Sequence, residues 1–349
     1  MALAKAYAAN NPKDGLSPFN FQRREPGPAD VEIDVLFCGV CHSDIHQVED
    51  EWGGSIYPMV PGHEIVGRVT RIGSSVSRFK VGDLAAVGVM IDSCRKCRNC
   101  NNHIENYCEE GMTGTYNGYE RGTNIIAQGG YSTLIVTEQH FVFNISPELD
   151  LAGTAPLLCA GITTYSPLRF AGVTKGTKVG IIGLGGLGHM GVKFAASFGA
   201  EVTMISTSPS KEKDAKRLGA HNFLLQTDPE QMKKYDSYFD VVLDTISANH
   251  DYEKYLNLLG YEGKMMVVGL PEEQPKVKPF ALLKNRRSIT GSMIGGTKET
   301  QEMLDYCAET NIVADVEVIP MQQINEAYVR MQKNDVRYRF VIDLASLKS

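Results

Sequence analysis

Between residues 178 and 206 the chain reads KVGIIGLGGLGHMGVKFAASFGAEVTMIS, an apolar run, a glycine cluster, an amphipathic stretch, another glycine and a second apolar run. That order predicts strand, tight turn, helix, stop and strand. Downstream, FDVVLDT (239–245) and GKMMVVGL (263–270) are buried-strand patterns that alternate with helical ones such as KEKDAKRLGA. Strands alternating with helices build a parallel, doubly wound sheet. Before residue 150 the pattern changes. Runs such as VEIDVLFCGV and IVGRVTRIG are short and β-rich, and glycine, proline and polar turns separate them. They predict a small β-barrel domain. After SITGSMIGG come a helical pattern, KETQEMLDYCAET, and a closing strand in DVRYRFVID. That strand is expected to return to the first domain, which places residues 1–160 and 297–349 in one domain and 161–296 in another.

A length of 349 residues suits two cores better than one. Charged residues at 22% and hydrophobic ones at 43%, with 34 glycines and 15 prolines, are values of a folded, turn-rich soluble protein. No apolar run has signal-peptide or membrane-spanning length, so a cytoplasmic location is expected. The formal net charge of −6 and the lack of a long basic block argue against a nucleic-acid partner, because that binding rests on clustered Lys and Arg.

Four of the eight cysteines fall in CRKCRNCNNHIENYC, residues 94–108. A reducing cytosol disfavours disulfides there, and the polar loop spacing does not suit a single reactive redox pair. Cys94, Cys97, Cys100 and Cys108 are therefore read as a closed, structural zinc site with four thiolate ligands, with iron as the alternative metal. Cys41 in GVCHSDIH, His63 and Glu64 in VPGHE, and Cys159 in LLCAGITTY are candidates for an open metal site, since two cysteines and one histidine can hold a catalytic zinc. Each residue alone reads equally well as ordinary core, and their spacing does not decide the matter.

Gly183-Leu184-Gly185-Gly186-Leu187-Gly188 follows an apolar run and opens a helix, the context in which this spacing carries a dinucleotide pyrophosphate. An NAD site places an acid about twenty residues on, at the end of the second strand. Here the strand ends in Ser206, followed by Thr207, Ser208 and Lys211. Three hydroxyls and an ammonium favour a 2′-phosphate, hence NADP(H). Ser208 and Pro209 also read as a helix cap and first-turn proline.

GVCHSDIH, PGHE, the four-cysteine loop, CAGITTY and GLGGLGH occur in the order found in the zinc-dependent medium-chain alcohol dehydrogenases. The resemblance spans essentially the whole chain. LLCAGITTYSPL, GSMIGG and DVRYRFVID bring it nearest to the cinnamyl alcohol dehydrogenase group, including bacterial NADPH-dependent aldehyde reductases. The resemblance implies an α/β fold made of a GroES-like β-barrel catalytic domain and a Rossmann domain. It implies Cys41, His63 and Cys159 as catalytic zinc ligands, Glu64 as a residue able to approach that metal, and Asp44 as the partner that orients His63. Ser43 and His46 become the proton path. Thr163, Val268, Gly269, Leu270, Ser292 and Ile294 border the cofactor, and Arg339 lies near its pyrophosphate. Trp52, Tyr57, Met90, Tyr116 and Ile294 are guesses for the substrate pocket, each with an ordinary-core alternative. The implied chemistry is hydride transfer between NADP(H) and an alcohol or aldehyde, by a homodimer joined through a sheet edge near residues 288–296. An NAD-dependent polyol or secondary-alcohol dehydrogenase and a non-catalytic, zinc-stabilised nucleotide sensor are the rival readings.

Overall fold

The computed structural model describes residues 2–348. The chain divides into two compact units, one formed by residues 1–159 and 295–349 and the other by residues 160–294.

The second unit is built on a six-stranded sheet in which every pair is parallel. In spatial order its strands are Asn222–Leu225, Glu201–Ser206, Lys178–Ile182, Phe239–Asp244, Leu259–Val267 and Ser288–Gly291. Numbered along the chain, this is 3-2-1-4-5-6, the doubly wound order, with its reversal between Lys178–Ile182 and Phe239–Asp244. Ligands of such sheets bind beyond the carboxyl ends of the strands at that reversal. Ile182, Ile205, Leu224, Phe239, Val242, Leu256 and Met265 are buried together in its core, as near-continuous apolar strands covered on both faces require. The helix Gly186–Ser197 starts at the glycine turn, and Gly183 has φ 87, a conformation that favours glycine. The strand read as starting at Gly263 begins at Leu259, because the pairing with the strand before it is irregular between Phe239 and Val241. It ends at Val267, where the Val268 and Gly269 N–H groups turn back to donate to the Asp244 carbonyl.

In the first unit a seven-stranded sheet runs Val316–Pro320, Arg339–Asp343, Asp30–Gly39, Ile65–Ile72, Leu84–Val87 and Val142–Asn144, with Leu134–Glu138 also paired to Asp30–Gly39. The C-terminal strand does return to this unit: Val341 pairs with Gly39 and Ile342 with Cys38. Ile33, Ile45, Met59, Ile65, Ile135, Phe340 and Tyr131 fill the core beneath it. A hairpin of Ala2–Ala9 and Leu16–Arg23 adds a two-stranded sheet that the hydrophobic pattern does not single out.

One buried carboxylate ties the four-cysteine loop to the rest of this unit. Glu105 is fully buried and accepts from His140 Nε2 at 2.7 Å and from Thr297 N and Oγ1 at 3.0 Å each. Thr297 is the first residue of the helix Thr297–Thr310, so the acid also meets an unpaired N–H at a helix start. Burial raises the carboxyl, but the bonds from His140 and Thr297 outweigh it and hold it down at about 2. Gly296 makes the approach possible, since a Cβ there would overlap the His103 carbonyl. Glu105→Ala strips three donors of a shared buried acceptor and should destabilise this unit by about 2–3 kcal/mol. Chemical denaturation followed by tyrosine fluorescence measures the shift, and an unchanged midpoint would refute the clamp.

Candidate active site and metal centres

Cys41 is the N-cap of the short helix His42–Val48, whose third residue is Asp44. The Asp44 carboxylate is wholly buried and gathers four donors. Its Oδ2 accepts from Cys41 N at 2.9 Å and from the Tyr131 hydroxyl at 3.2 Å. Its Oδ1 accepts from Gly62 N and from His63 Nδ1, both at 3.1 Å. With Nδ1 committed as donor, Nε2 of His63 is left as the coordinating nitrogen. That atom is buried and finds no hydrogen-bond partner among the described residues.

Around it lie Cys41, Cys159 and Glu64, and the four ligand atoms are all within 4.8 Å of one another. The Cys41 and Cys159 sulfurs are 3.9 Å apart, close to the roughly 3.8 Å edge of a tetrahedron with ligands at about 2.3 Å. Cys159 enters from behind the turn Ala155–Leu158 and is 8% exposed. The bond between the two thiols lowers that of Cys41 and raises that of Cys159, and Asp44 raises His63 against its burial. A divalent cation that displaces the shared proton suits this donor set. Two thiolates, an orphaned imidazole nitrogen and the tetrahedral spacing fit a zinc ion.

Glu64 is wholly buried, and burial pushes its carboxyl up to about 7 against the pull of the Arg339 guanidinium. Arg339 is 4% exposed and pairs with Glu64 through Nη2. The resemblance puts Arg339 near the pyrophosphate; its Nη2 pairs with Glu64 Oε1 beside the cluster, while its Nε has no hydrogen-bond partner among the described residues. Gly39 makes room for Glu64, because a Cβ there would overlap its carboxylate.

Ser43 is 3.6 Å from Cys41 through its hydroxyl. His46 pairs through Nδ1 with Glu51 and stacks on Trp52 at 4.9 Å, with Trp52 47% exposed. Glu51 was not singled out in the sequence, although its place five residues after His46 was visible. Among the pocket guesses, Tyr116 stacks over His63 at 5.9 Å, Tyr57 donates to the Val48 carbonyl at 2.7 Å, and Met90 is buried. Ile294 belongs to the other unit and has an unusual φ of 42 for a β-branched residue.

In the four-cysteine loop the sulfurs of Cys94 and Cys100 are 3.8 Å apart and those of Cys97 and Cys100 3.4 Å. Backbone N–H groups point at the sulfurs: Cys97 N donates to Cys94, Cys100 N to Cys97 and Cys94 N to Cys108. The N–H groups of Cys100 and Glu109 draw the Cys97 thiol down to about 6, whereas burial pushes Cys100 up to about 12. Four sulfurs gathered at one point, all free of disulfides, make a closed tetrahedral site with no position left for a substrate.

The second unit holds the other predicted residues. A Cβ on Gly188 would overlap the Gly183 carbonyl, so this glycine lets the helix sit tight on the first strand. A Cβ on Gly185 would meet nothing within 4 Å, so the turn presents bare backbone to a pyrophosphate. Leu184 is buried and Gly186 begins the helix. Lys211 Nζ donates to the Leu184 carbonyl at 2.9 Å, which joins the lysine to the glycine turn. Ser206 is buried at its strand end and accepts from Ser208 N at 3.2 Å. Ser208 precedes the turn Pro209–Lys211 but its hydroxyl makes no capping bond and pairs with Ser210 instead. Thr207 is exposed, Thr163 is buried in the helix Ala160–Phe170, Leu270 is exposed, and Ser292 N donates to the Val267 carbonyl. Sequence reading missed Thr245, whose hydroxyl donates to the carbonyls of Ile182 and Gly183 at 2.6 and 3.1 Å.

Two family models match: the alcohol dehydrogenase GroES-like domain over residues 27–147 and zinc-binding dehydrogenase over 186–309. A cinnamyl alcohol dehydrogenase 2 from Rauvolfia serpentina is 53% identical over 99% of this chain and 96% of that protein. A probable mannitol dehydrogenase from Fragaria ananassa is 52% identical over 98% of this chain and 96% of its own. Among solved structures, a cinnamyl alcohol dehydrogenase from Helicobacter pylori complexed with NADP(H) is 40% identical with a TM-score of 0.93, covering 99% of both chains. The chain belongs to the zinc-dependent medium-chain alcohol dehydrogenases, in the cinnamyl alcohol dehydrogenase group.

Membership in this zinc alcohol dehydrogenase family makes the metal count a direct test of the two clusters. The wild-type alcohol dehydrogenase should carry two zinc ions per chain by atomic emission. Cys159→Ala should carry one and retain its thermal midpoint to within a few degrees, whereas Cys97→Ala should lose zinc together with stability. Two zinc ions in both variants would disprove the ligand assignment.

Proposed function

We propose that this alcohol dehydrogenase transfers hydride between NADP(H) and primary, aromatic alcohols and aldehydes such as cinnamyl alcohol and cinnamaldehyde. The observation that carries the reading is one cluster of two cysteines and an orphaned histidine nitrogen, with a strand end of hydroxyls and a lysine where an NAD site has an acid. When bound, zinc supplies Lewis-acid polarisation of the substrate oxygen and the nicotinamide supplies or takes the hydride.

The chain's own residues do the rest. Cys41, His63 and Cys159 hold the metal, and Asp44 keeps the His63 ring in the tautomer that leaves Nε2 available. Ser43 Oγ, beside Cys41, passes the alcohol proton, and His46, held by Glu51, conducts it to solvent. Arg339 neutralises Glu64, so the two thiolates alone balance the dication and no extra negative charge opposes a developing alkoxide. Gly183 to Gly188 receive the pyrophosphate, and Ser206, Thr207, Ser208 and Lys211 the 2′-phosphate. Trp52, Tyr57, Met90 and Tyr116 supply apolar surface for an aromatic substrate.

We further read the enzyme as cytoplasmic and homodimeric, Ser288–Gly291 being one of the two edge strands of its parallel sheet. No helix among the described residues is long and apolar enough to cross a membrane. The mannitol dehydrogenase relative supports the polyol alternative, so mannitol is tested beside cinnamyl alcohol.

Cinnamaldehyde reduction should run at least about ten-fold faster in kcat/KM with NADPH than with NADH, a difference of one charge-assisted contact or more. Ser206→Asp should reverse that preference. Equal rates with both cofactors in the wild type would remove the 2′-phosphate reading, and turnover of mannitol alone would move the substrate class to polyols.

A further inference from the structure

The loop that leaves the strand Phe239–Asp244 lies at the reversal of the doubly wound sheet, beside the glycine turn. Between them, two of its residues reach both backbone segments expected around the cofactor. Thr245 Oγ1 donates to Ile182 and Gly183, and a Cβ on Gly183 would stand 3.2 Å from the Ile246 side chain. On the other side, a Cβ on Gly269 would overlap the Ile246 backbone, so the loop and Val268–Leu270 are in close contact. No helix or strand includes residues 245–251; beyond the backbone bond from Thr245 N to the Ile182 carbonyl at 3.3 Å, their position relies largely on side chains.

His250 closes this loop. Its Nε2 is 2.9 Å from Asp244 Oδ2 and its Nδ1 is 2.7 Å from the Ala248 carbonyl oxygen. The other Asp244 oxygen accepts from Ile246 N at 3.1 Å. Asp244 is wholly buried, and the His250 side chain is 9% exposed. A carbonyl oxygen can only accept, and so can an ionised carboxylate, so both ring nitrogens must donate. Only the imidazolium does that. A neutral ring would leave either the carboxylate or the carbonyl without its proton.

We propose that His250 is a positioning residue for the cofactor: as an imidazolium held between Asp244 and the Ala248 carbonyl, it fixes residues 245–251 against the glycine turn that receives NADP(H). The inference rests on the reading of this unit as the NADP(H) site. The groups that face the ring support the charge. Asp244 and Asp251 are acids, and the rings of Tyr252 and Tyr255, from the helix Tyr252–Leu256, lie 4.9 and 5.7 Å away. From the segment after the fifth strand, Glu273 contributes its backbone N–H, which donates to Asn249 Oδ1. Burial lowers His250, but the bonds to Asp244 and Ala248 and the nearby Asp251 outweigh it, so the group stays charged above its ordinary range. The closed loop is fully formed below the ordinary histidine value of about 6.5 and is lost as pH rises through the raised value in the folded protein.

Calorimetric titration of NADPH into the zinc-loaded enzyme across the neutral to alkaline range tests this. In the wild type the Kd should be flat at low pH and rise about ten-fold once His250 loses its proton. His250→Gln, whose two N–H donors share one nitrogen and carry no charge, should bind about ten-fold more weakly at neutral pH and lack that alkaline rise. Asp244→Asn removes the charged partner and should move the rise to lower pH. A His250→Gln enzyme with the wild-type Kd at every pH overturns the inference and leaves the cofactor reading standing. A wild-type enzyme that binds no NADPH overturns both. Should the variants not fold, ¹⁵N shifts of the histidine rings in the wild type decide, since a His250 ring with one protonated nitrogen at neutral pH overturns the imidazolium.

Discussion

A single buried carboxylate, Asp44, organises the catalytic unit. It joins the start of the helix His42–Val48, the Gly62–His63 turn and the Tyr131 side chain by accepting four hydrogen bonds. A wholly buried charge survives only where donors replace its water, so each of the four donors is held in place by the cost of leaving that charge bare. Two of those donors belong to candidate metal ligands, the backbone of Cys41 and the ring of His63. The Cys41 and His63 donor atoms are thereby held in place by the protein itself, and the Cys159 sulfur stands 3.9 Å from that of Cys41. The same logic recurs with Glu105, whose three donors tie the four-cysteine loop to the helix Thr297–Thr310.

The nucleotide unit relies on close backbone approach instead of a buried charge. Gly188 and Gly269 each occupy places where a Cβ would overlap a neighbouring backbone, so the glycine turn, the loop after Asp244 and the segment after Val267 stack directly on one another. Thr245 and Asp244 then supply the few side-chain bonds that such a stack of irregular segments needs. Bare backbone N–H groups are what an anionic pyrophosphate requires, and the unit achieves this by excluding side chains.

How much of this was legible in the sequence depends on the range of each interaction. The parallel sheet, the glycine turn and the four-cysteine loop were readable because periodicity and ligand spacing are local. The return of the last strand was readable too, from its β-rich pattern at the chain end. Pairings across long separations were not. Glu64 and Arg339 are 275 positions apart and Glu105 and Thr297 are 192 apart, and no local pattern announces either. Ser208 shows the opposite failure: a local rule favoured it as a helix cap, yet its hydroxyl bonds Ser210, although the turn Pro209–Lys211 runs directly into the helix Glu212–Leu218. The strand at Leu259 started early for a related reason, because pairing to its neighbour resumes across an irregularity that hydrophobic pattern cannot reveal.

The pairing of Glu64 with Arg339 has an electrostatic meaning that the ligand list alone does not carry. Cys41, Cys159, His63 and Glu64 present four candidate ligand atoms, and an unpaired Glu64 would bring a third negative charge to the metal. A third anion would oppose the charge that develops on a substrate oxygen, and would fill the position the substrate needs. Arg339 answers the first problem by pairing with Glu64 Oε1 in a buried ion pair, whereas the acid's other oxygen, Oε2, has no hydrogen-bond partner among the described residues and Glu64 stays within the cluster. A buried pair of this kind adds little to stability over apolar residues of the same size, so its presence beside two thiolates is better explained by the charge balance it imposes than by the energy of the pair. The charge balance at the cluster is therefore a property of Arg339 as much as of the candidate ligands themselves.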